Sequence, residues 1–244
     1  MKKIVTVNHV SMLFNLSAEK VDSFKEYFIK LIKGKLKYEE FWALSDVSFE
    51  VERGERIGII GKNGSGKSTL LKLIAGVLKP TKGYISSNGN IAPLIELGAG
   101  FDFELTAREN VFLNGAILGY SRKEMEKKYD EIIEFAELKN FEYVPIKNFS
   151  SGMLARLGFS IATAHFPDIL VVDEILAVGD IAFQRKCFER MEKFTEMGTT
   201  IFFVSHSIED IKRICTRVIW LKNGKIEKDN KPDIVLDSYL KYMK

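Results

Sequence analysis

Nine consecutive residues carry the densest chemistry in this 244-residue sequence: Gly61, Lys62, Asn63, Gly64, Ser65, Gly66, Lys67, Ser68 and Thr69. Three glycines at this spacing reach backbone dihedrals closed to other residues, so successive N–H groups can turn inward around an anion. Lys67 supplies a point charge for the β- and γ-phosphates of a nucleotide. Ser68 offers a hydroxyl to Mg²⁺, and Thr69 a second one toward the α-phosphate. The pattern G-x-x-x-x-G-K-[ST] acquires meaning between a strand and a helix. Both flanks are present. Arg56-Ile-Gly-Ile-Ile60 reads as a buried strand, and Leu70-Leu71-Lys72-Leu73-Ile74 as a helix whose N-terminus adds its positive end to the same site.

A second set lies about a hundred residues on. The apolar run Ile169-Leu-Val-Val172 ends in Asp173-Glu174, and acids at the C-terminal end of a parallel strand project into the crevice where ligands bind. Asp173 suits Mg²⁺, directly or through water, while Glu174 suits the general base that polarises an attacking water. His206 follows another apolar run, Ile201-Phe-Phe-Val204, at the same kind of strand end, from which it would sense the γ-phosphate. The chemistry implied is phosphoanhydride hydrolysis.

These groups need a scaffold. Ile4–Val10 reads as a short strand, and Val47, Phe49 and Val51 alternate with Ser48, Glu50 and Glu52 in another, which suits an antiparallel β subdomain. Residues 105–165 turn helical: Thr106 can cap a helix, and Ser121-Arg-Lys-Glu124 is a capping box before the run Met125, Tyr129, Ile132, Ile133, Ala136. The runs at 169–172 and 201–204 are near-continuous, as in strands buried on both faces. The fold class expected is α/β: a P-loop NTPase (RecA-like) parallel sheet core with an antiparallel β subdomain and an inserted α-helical subdomain, all in one domain, 1–244. Residues 17–37 place Val21, Phe24, Phe28, Leu31 and Ile32 on one helical face and Lys20, Lys25, Lys30 and Lys33 largely elsewhere. Such a basic amphipathic helix can pack on its own domain, lie at a membrane surface or dock on a partner.

Composition narrows the classes. A hydrophobic content of 46% suits a packed core, and a net charge of +3 gives no reason to expect nucleic acid as a partner. No apolar stretch approaches the roughly 18 residues of a bilayer span, and the N-terminus has no signal-peptide core, so a soluble, cytoplasmic chain is expected. Cys187 and Cys215 lack metal-ligand spacing and read as buried thiols.

Taken in order, GKNGSGKST, NFSSGM at Asn148–Met153, ILVVDE at Ile169–Glu174 and His206 resemble the ATPase subunit of ABC transporters. The resemblance covers essentially the whole chain. It implies ATP and Mg²⁺ as cofactors and a head-to-tail homodimer, each ATP held between one subunit's phosphate loop and the other's signature loop. That loop is Phe149-Ser150-Ser151-Gly152-Met153, which departs from the usual Leu-Ser-Gly-Gly-Gln at its third and last places. Ser150 keeps the hydroxyl for the opposite γ-phosphate, and Ser151 and Gly152 stay small. The adenine-stacking aromatic matches Phe14, with Trp42 as its rival. The family's Mg²⁺-linking glutamine is missing from Ala92–Gly98, and Glu96 lies nearest its place. Asp180 matches the acid of the loop that crosses the dimer axis.

The helix before Phe41-Trp42, the segment Leu97-Gly-Ala-Gly-Phe-Asp102 and Ala177-Val-Gly-Asp180 look like one branch of that family, the exporters of lipid-linked polysaccharides such as O-antigens, capsules and teichoic acids. The resemblance implies a separate transmembrane permease subunit, contacted through the 17–37 helix and the 96–102 loop, and a peripheral place on the cytoplasmic face of the inner or plasma membrane. The other class is an ABC ATPase acting on nucleic acid or ribosomes. Such proteins carry long coiled coils or a second ATPase unit, and neither heptads nor a repeat of the phosphate loop occurs here.

Overall fold

The computed structural model describes residues 2–17, 38–95, 97–173, 179–205 and 207–243. Two long strands, β1 (Lys3–Ser17) and β2 (Tyr38–Glu52), pair antiparallel from Lys3 opposite Glu52 to Ser17 opposite Tyr38. Val47, Phe49 and Val51 are buried while Ser48 and Glu50 face solvent, the period-two pattern of a half-buried strand. β1 runs well past Val10, so Ser17 belongs to this strand and not to a helix. The rest of the 17–37 segment lies outside the described residues. β4 (Lys82–Ser87) pairs on the other edge of β1, giving a three-stranded sheet in the order β2-β1-β4.

The second sheet has six strands. β3 (Arg56–Ile60), β5 (Ile91–Leu94), β6 (Ile169–Asp173), β7 (Thr200–Val204), β8 (Arg217–Lys222) and β9 (Lys225–Asn230) lie in the order β5-β6-β7-β3-β8-β9. The β8–β9 hairpin is antiparallel and the other neighbours are parallel. The chain crosses between sheets at Asn88-Gly89-Asn90, where the Asp168 carboxylate accepts from the Asn90 N–H at 3.1 Å and from Arg53 at 2.7 Å. Arg53 holds that carboxyl below its ordinary range.

Alternation along the central strands divides the core. Ile169 and Val171 of β6 and Phe202 and Val204 of β7 join one cluster with α1 (Lys67–Ile74) and the buried face of the antiparallel sheet, so α1 packs between the sheets. Leu170, Val172, Ile201 and Phe203 face the opposite way. There they meet Phe159, Phe183 and Phe194, which come from the helices that follow. These are α2 (Ala107–Ile117), α3 (Arg122–Ala136), α4 (Ser151–Ala162), α5 (Ile181–Glu196), α6 (Ile208–Ile214) and α7 (Pro232–Met243). α2, α3 and α4 build a separate cluster from Val111, Met125, Ile132, Leu157 and Ile161. The expected capping box forms at Ser121 with Glu124 on α3, and the expected cap at Thr106 proves to be a capping box as well, with Glu109 on α2. Among the described residues no helix is long and apolar enough to cross a membrane.

Candidate nucleotide site

β3 delivers the chain directly into the glycine loop, and α1 takes it out. Gly61 and Gly66 have φ of 153° and 102°. A Cβ on Gly61 would lie 2.3 Å from the Leu221 carbonyl oxygen, and one on Gly66 2.6 Å from that of Ala43. Backbone at that range cannot be pushed aside, so glycine is required for the loop to seat against β8 and β2. The β8–β9 turn adds a bond from the Gly224 N–H to the Ser65 carbonyl at 3.2 Å. Within the loop, Lys67 donates from Nζ to the carbonyls of Gly61 and Lys62 at 2.9 and 3.0 Å. α1 begins on Gly66, which brings no capping side chain, so its positive end faces the cavity above it.

That cavity, of about 350 Å³, is lined by Asn63, Gly64, Gly66, Lys67, Ser68, Thr69 and Asp173 among the expected site residues. Gly61, Lys62 and Ser65 shape the loop from behind. Asp173 arrives by parity: on β6 it shares the α1 side with Ile169 and Val171, and it pairs with Val204 of β7, which also lines the cavity. A lysine, a helix N-terminus and backbone amides converge on one space, as a polyphosphate requires. Among the described residues that line the cavity, Ser68 and Thr69 offer hydroxyls and Asp173 a carboxylate to a cation. So incomplete a shell suits Mg²⁺, which keeps waters and shares phosphate oxygens.

Among the described residues the aromatic that lines this cavity is Phe41, where the sequence pointed to Phe14 with Trp42 as its rival. β2 starts at Tyr38 and crosses the mouth of the loop, and Phe41 lies two residues from Ala43, which also lines the cavity. Phe14 sits opposite Phe41 in the β1–β2 register but does not line the space. Trp42 falls on the other face, under the Lys82 ammonium at 5.1 Å. Phe41 is 44% exposed.

A family model described as "ABC transporter" matches residues 44–177, more than half of the chain. The chain belongs to the ABC transporter family. It is an ATPase of the P-loop type, in keeping with both the loop and the fold. It is 48% identical over 214 residues to the O-antigen export system ATP-binding protein RfbB of Klebsiella pneumoniae, covering 88% of this chain and 85% of that protein. It is 42% identical over 240 residues to the teichoic acids export ATP-binding protein TagH of Bacillus anthracis, covering 98% of this chain but 43% of that longer protein. A solved dimeric ATP-binding cassette in a post-hydrolysis state with ADP and Pi superposes at TM-score 0.73, with 25% identity over 94% of this chain and 99% of that one.

The other motifs of this ABC ATPase stand apart from the phosphate cavity. Ser150 caps α4, its hydroxyl accepting from the Met153 N–H at 3.3 Å, and Ser150, Ser151 and Gly152 do not line the cavity. Asp180 caps α5 by accepting from the Phe183 N–H at 2.9 Å. Glu96, Glu174 and His206 lie outside the described residues. Asn110, which sequence reasoning missed, is fully buried and takes the Asp102 N–H on Oδ1 while its Nδ2 donates to the carbonyls of Asp102, Leu105 and Thr106. It fixes the end of the Leu97–Asp102 segment. The start of that segment rests on α4, where a Cβ on Gly158 would meet the Gly98 nitrogen at 2.9 Å. A polar residue amid the apolar face of α2 was the signal available for Asn110. Cys187 and Cys215 are buried free thiols, their pKa values pushed up to about 12 by burial, which leaves them unreactive.

Proposed function

We propose that this chain is the ATP-hydrolysing subunit of an ABC transporter that exports a lipid-linked polysaccharide, an O-antigen, capsule or teichoic acid, through a separate transmembrane subunit. One observation carries this reading: the likeness to O-antigen and teichoic acid export ATP-binding proteins extends over 88% and 98% of the chain. Neither relative gives support to the nucleic-acid class.

In this reading, Lys67 exchanges the loop carbonyls for β- and γ-phosphate oxygens, and the loop amides with the α1 N-terminus hold the remaining charge. Ser68 and Asp173 would hold Mg²⁺, which supplies charge neutralisation at those oxygens. Phe41 stacks on the base. Glu174, the next residue in sequence after β6, takes the proton of the attacking water as general base, and His206, two residues in sequence beyond β7, reads the γ-phosphate. Ser150, Ser151 and Gly152 serve the nucleotide of a second copy in a homodimer, and Asp180 lies toward its axis. If two ATP bind the closed pair better than the open one, binding drives closure and hydrolysis removes the preference. Glu96 and the 17–37 and 96–102 segments serve the transmembrane partner, with the chain peripheral on the cytoplasmic membrane face.

The test is purification of tagged protein from membranes of its source cell, beside a variant lacking 17–37. A multi-spanning membrane protein retained by the wild type and weakened by the deletion is the expected result. Retention of nucleic acid or ribosomes alone overturns the transporter assignment.

A further inference from the structure

Beside the phosphate loop, where it meets β8, α7 presents two tyrosine rings that no part of the hydrolysis chemistry uses. Tyr239 and Tyr242 pack on Trp220 of β8 with ring centroids 5.5 and 5.2 Å away. The Lys62 ammonium, from the second residue of the phosphate loop, sits 4.6 Å from the centre of the Tyr242 ring. Lys222 approaches the same ring at 4.6 Å and is also paired with Glu227. A narrow gap of about 60 Å³ between the loop and β8 is walled by Lys62, Ser65, Trp220 and Tyr242.

The main chain of Lys62 ties this contact to ATP. Its carbonyl accepts from Lys67 Nζ at 3.0 Å and from the Ser65 N–H at 3.1 Å. Holding its side chain against a ring on a packed helix therefore holds the loop at the point where Lys67 is anchored. α7 is itself held by Val235 and Leu236, both fully buried. We infer that Tyr242 is a positioning residue for ATP binding, keeping the first turn of the phosphate loop in its binding shape through a cation–π contact with Lys62. The inference rests on the phosphate loop being the ATP site. With the ring removed, residue 62 gains freedom that ATP binding must take away again, so affinity falls. Asp173, at the end of β6 on the wall of the cavity, takes no part in this contact. The loss is therefore of uniform binding, visible in KM and not in kcat.

The experiment compares ATP affinity, measured with a fluorescent ATP analogue, and steady-state KM and kcat for wild type, Tyr242→Ala, Tyr242→Phe, Lys62→Ala and the Tyr242/Lys62 double variant. Tyr242→Ala is expected to raise Kd and KM roughly two- to fivefold with kcat unchanged. Tyr242→Phe, which keeps the ring, should match wild type, and the double variant should be no weaker than either alanine variant alone, as for a single shared contact. A wild type that binds ATP beside a Tyr242→Ala that binds it equally well overturns the inference. So does a Phe variant as weak as the Ala variant, or strictly additive losses. A wild type without ATP affinity overturns the site itself, and this inference with it.

Discussion

Lys67 donates from its ammonium to the carbonyl of Gly61 at 2.9 Å, so the first residue of the phosphate loop and its cation close the loop on itself. The charge is thus held beside the cavity before any phosphate arrives, with the Gly61 and Lys62 carbonyls among its partners. Lys67→Ala removes both that closure and the charge-assisted bonds to a nucleotide. ATP affinity is expected to fall at least about tenfold, from the worth of a hydrogen bond to a charged group. Nucleotide titration checks this, and unchanged affinity would refute the phosphate-loop assignment.

Glu174→Gln is expected to leave ATP binding intact and stop turnover, because the amide keeps the shape of the side chain but cannot take a proton from water. Binding and steady-state hydrolysis measured on the same preparation separate the two effects. Hydrolysis near the wild-type rate would remove Glu174 from the role of base.

The aromatic at the cavity sets a comparison among three rings. Phe41→Ala should weaken ATP binding by about five- to a hundredfold, the usual worth of a base stacked on a ring, while Phe14→Ala and Trp42→Ala should change it much less. A larger loss from Phe14→Ala than from Phe41→Ala would return the stacking role to β1.

Two glycines of one loop make opposite demands. A Cβ on Gly61 meets the Leu221 carbonyl at 2.3 Å, whereas one on Gly64 meets nothing within 4 Å. Gly64→Ala therefore carries only the strain of a positive φ, about 1–2 kcal/mol. Gly61→Ala must also displace β8 or the loop, and should be the more destabilising of the two by urea unfolding. Equal losses would show that the loop relaxes away from β8.

His165 stacks on Tyr120 with centroids 4.0 Å apart, and its Nε2 is buried without a hydrogen-bond partner. Burial, helped by nearby Lys128, lowers its pKa below the ordinary value of 6.5, against the smaller pull of Glu124 and Glu131. The unfolded chain therefore takes up this proton first as pH falls below about 6.5, and folded stability declines with it. The carboxylates with lowered pKa values, Glu109, Glu124, Glu131 and Asp168, act separately, since what they contribute is lost as pH falls below about 4. Urea midpoints should thus drop between pH 7 and pH 5.5 in the wild type and drop less in His165→Phe. Parallel slopes in the two proteins would remove His165 from the pH response.

Local chemistry was legible wherever a residue's role is set by its near neighbours in the chain. The phosphate loop between a strand and a helix, the capping boxes at Thr106 and Ser121, and the doubly buried strands ending near Asp173 all follow from spacing over a few residues. The side of β6 on which Asp173 falls follows from period two once the strand is placed. The branch of the family was legible too, because it is written in contiguous segments.

What the sequence could not settle are the relations between distant segments. Phe14 and Phe41 are both aromatic and face each other across one strand pair, yet only the course of β2 over the loop puts Phe41 at the cavity. Asn110 is an ordinary helix residue until the 102–106 turn wraps around it. Tyr242 reads as one more apolar position of a terminal helix, and its contact with Lys62, 180 residues earlier, exists only because β8 pairs beside β3 and α7 packs on β8. The sequence by itself determined which groups can bind a nucleotide, since motif spacing and strand periodicity are local properties of the backbone. The tertiary structure decided which ring lines the cavity and which helix lies against Lys62, since those depend on strand register and on how buried faces pack.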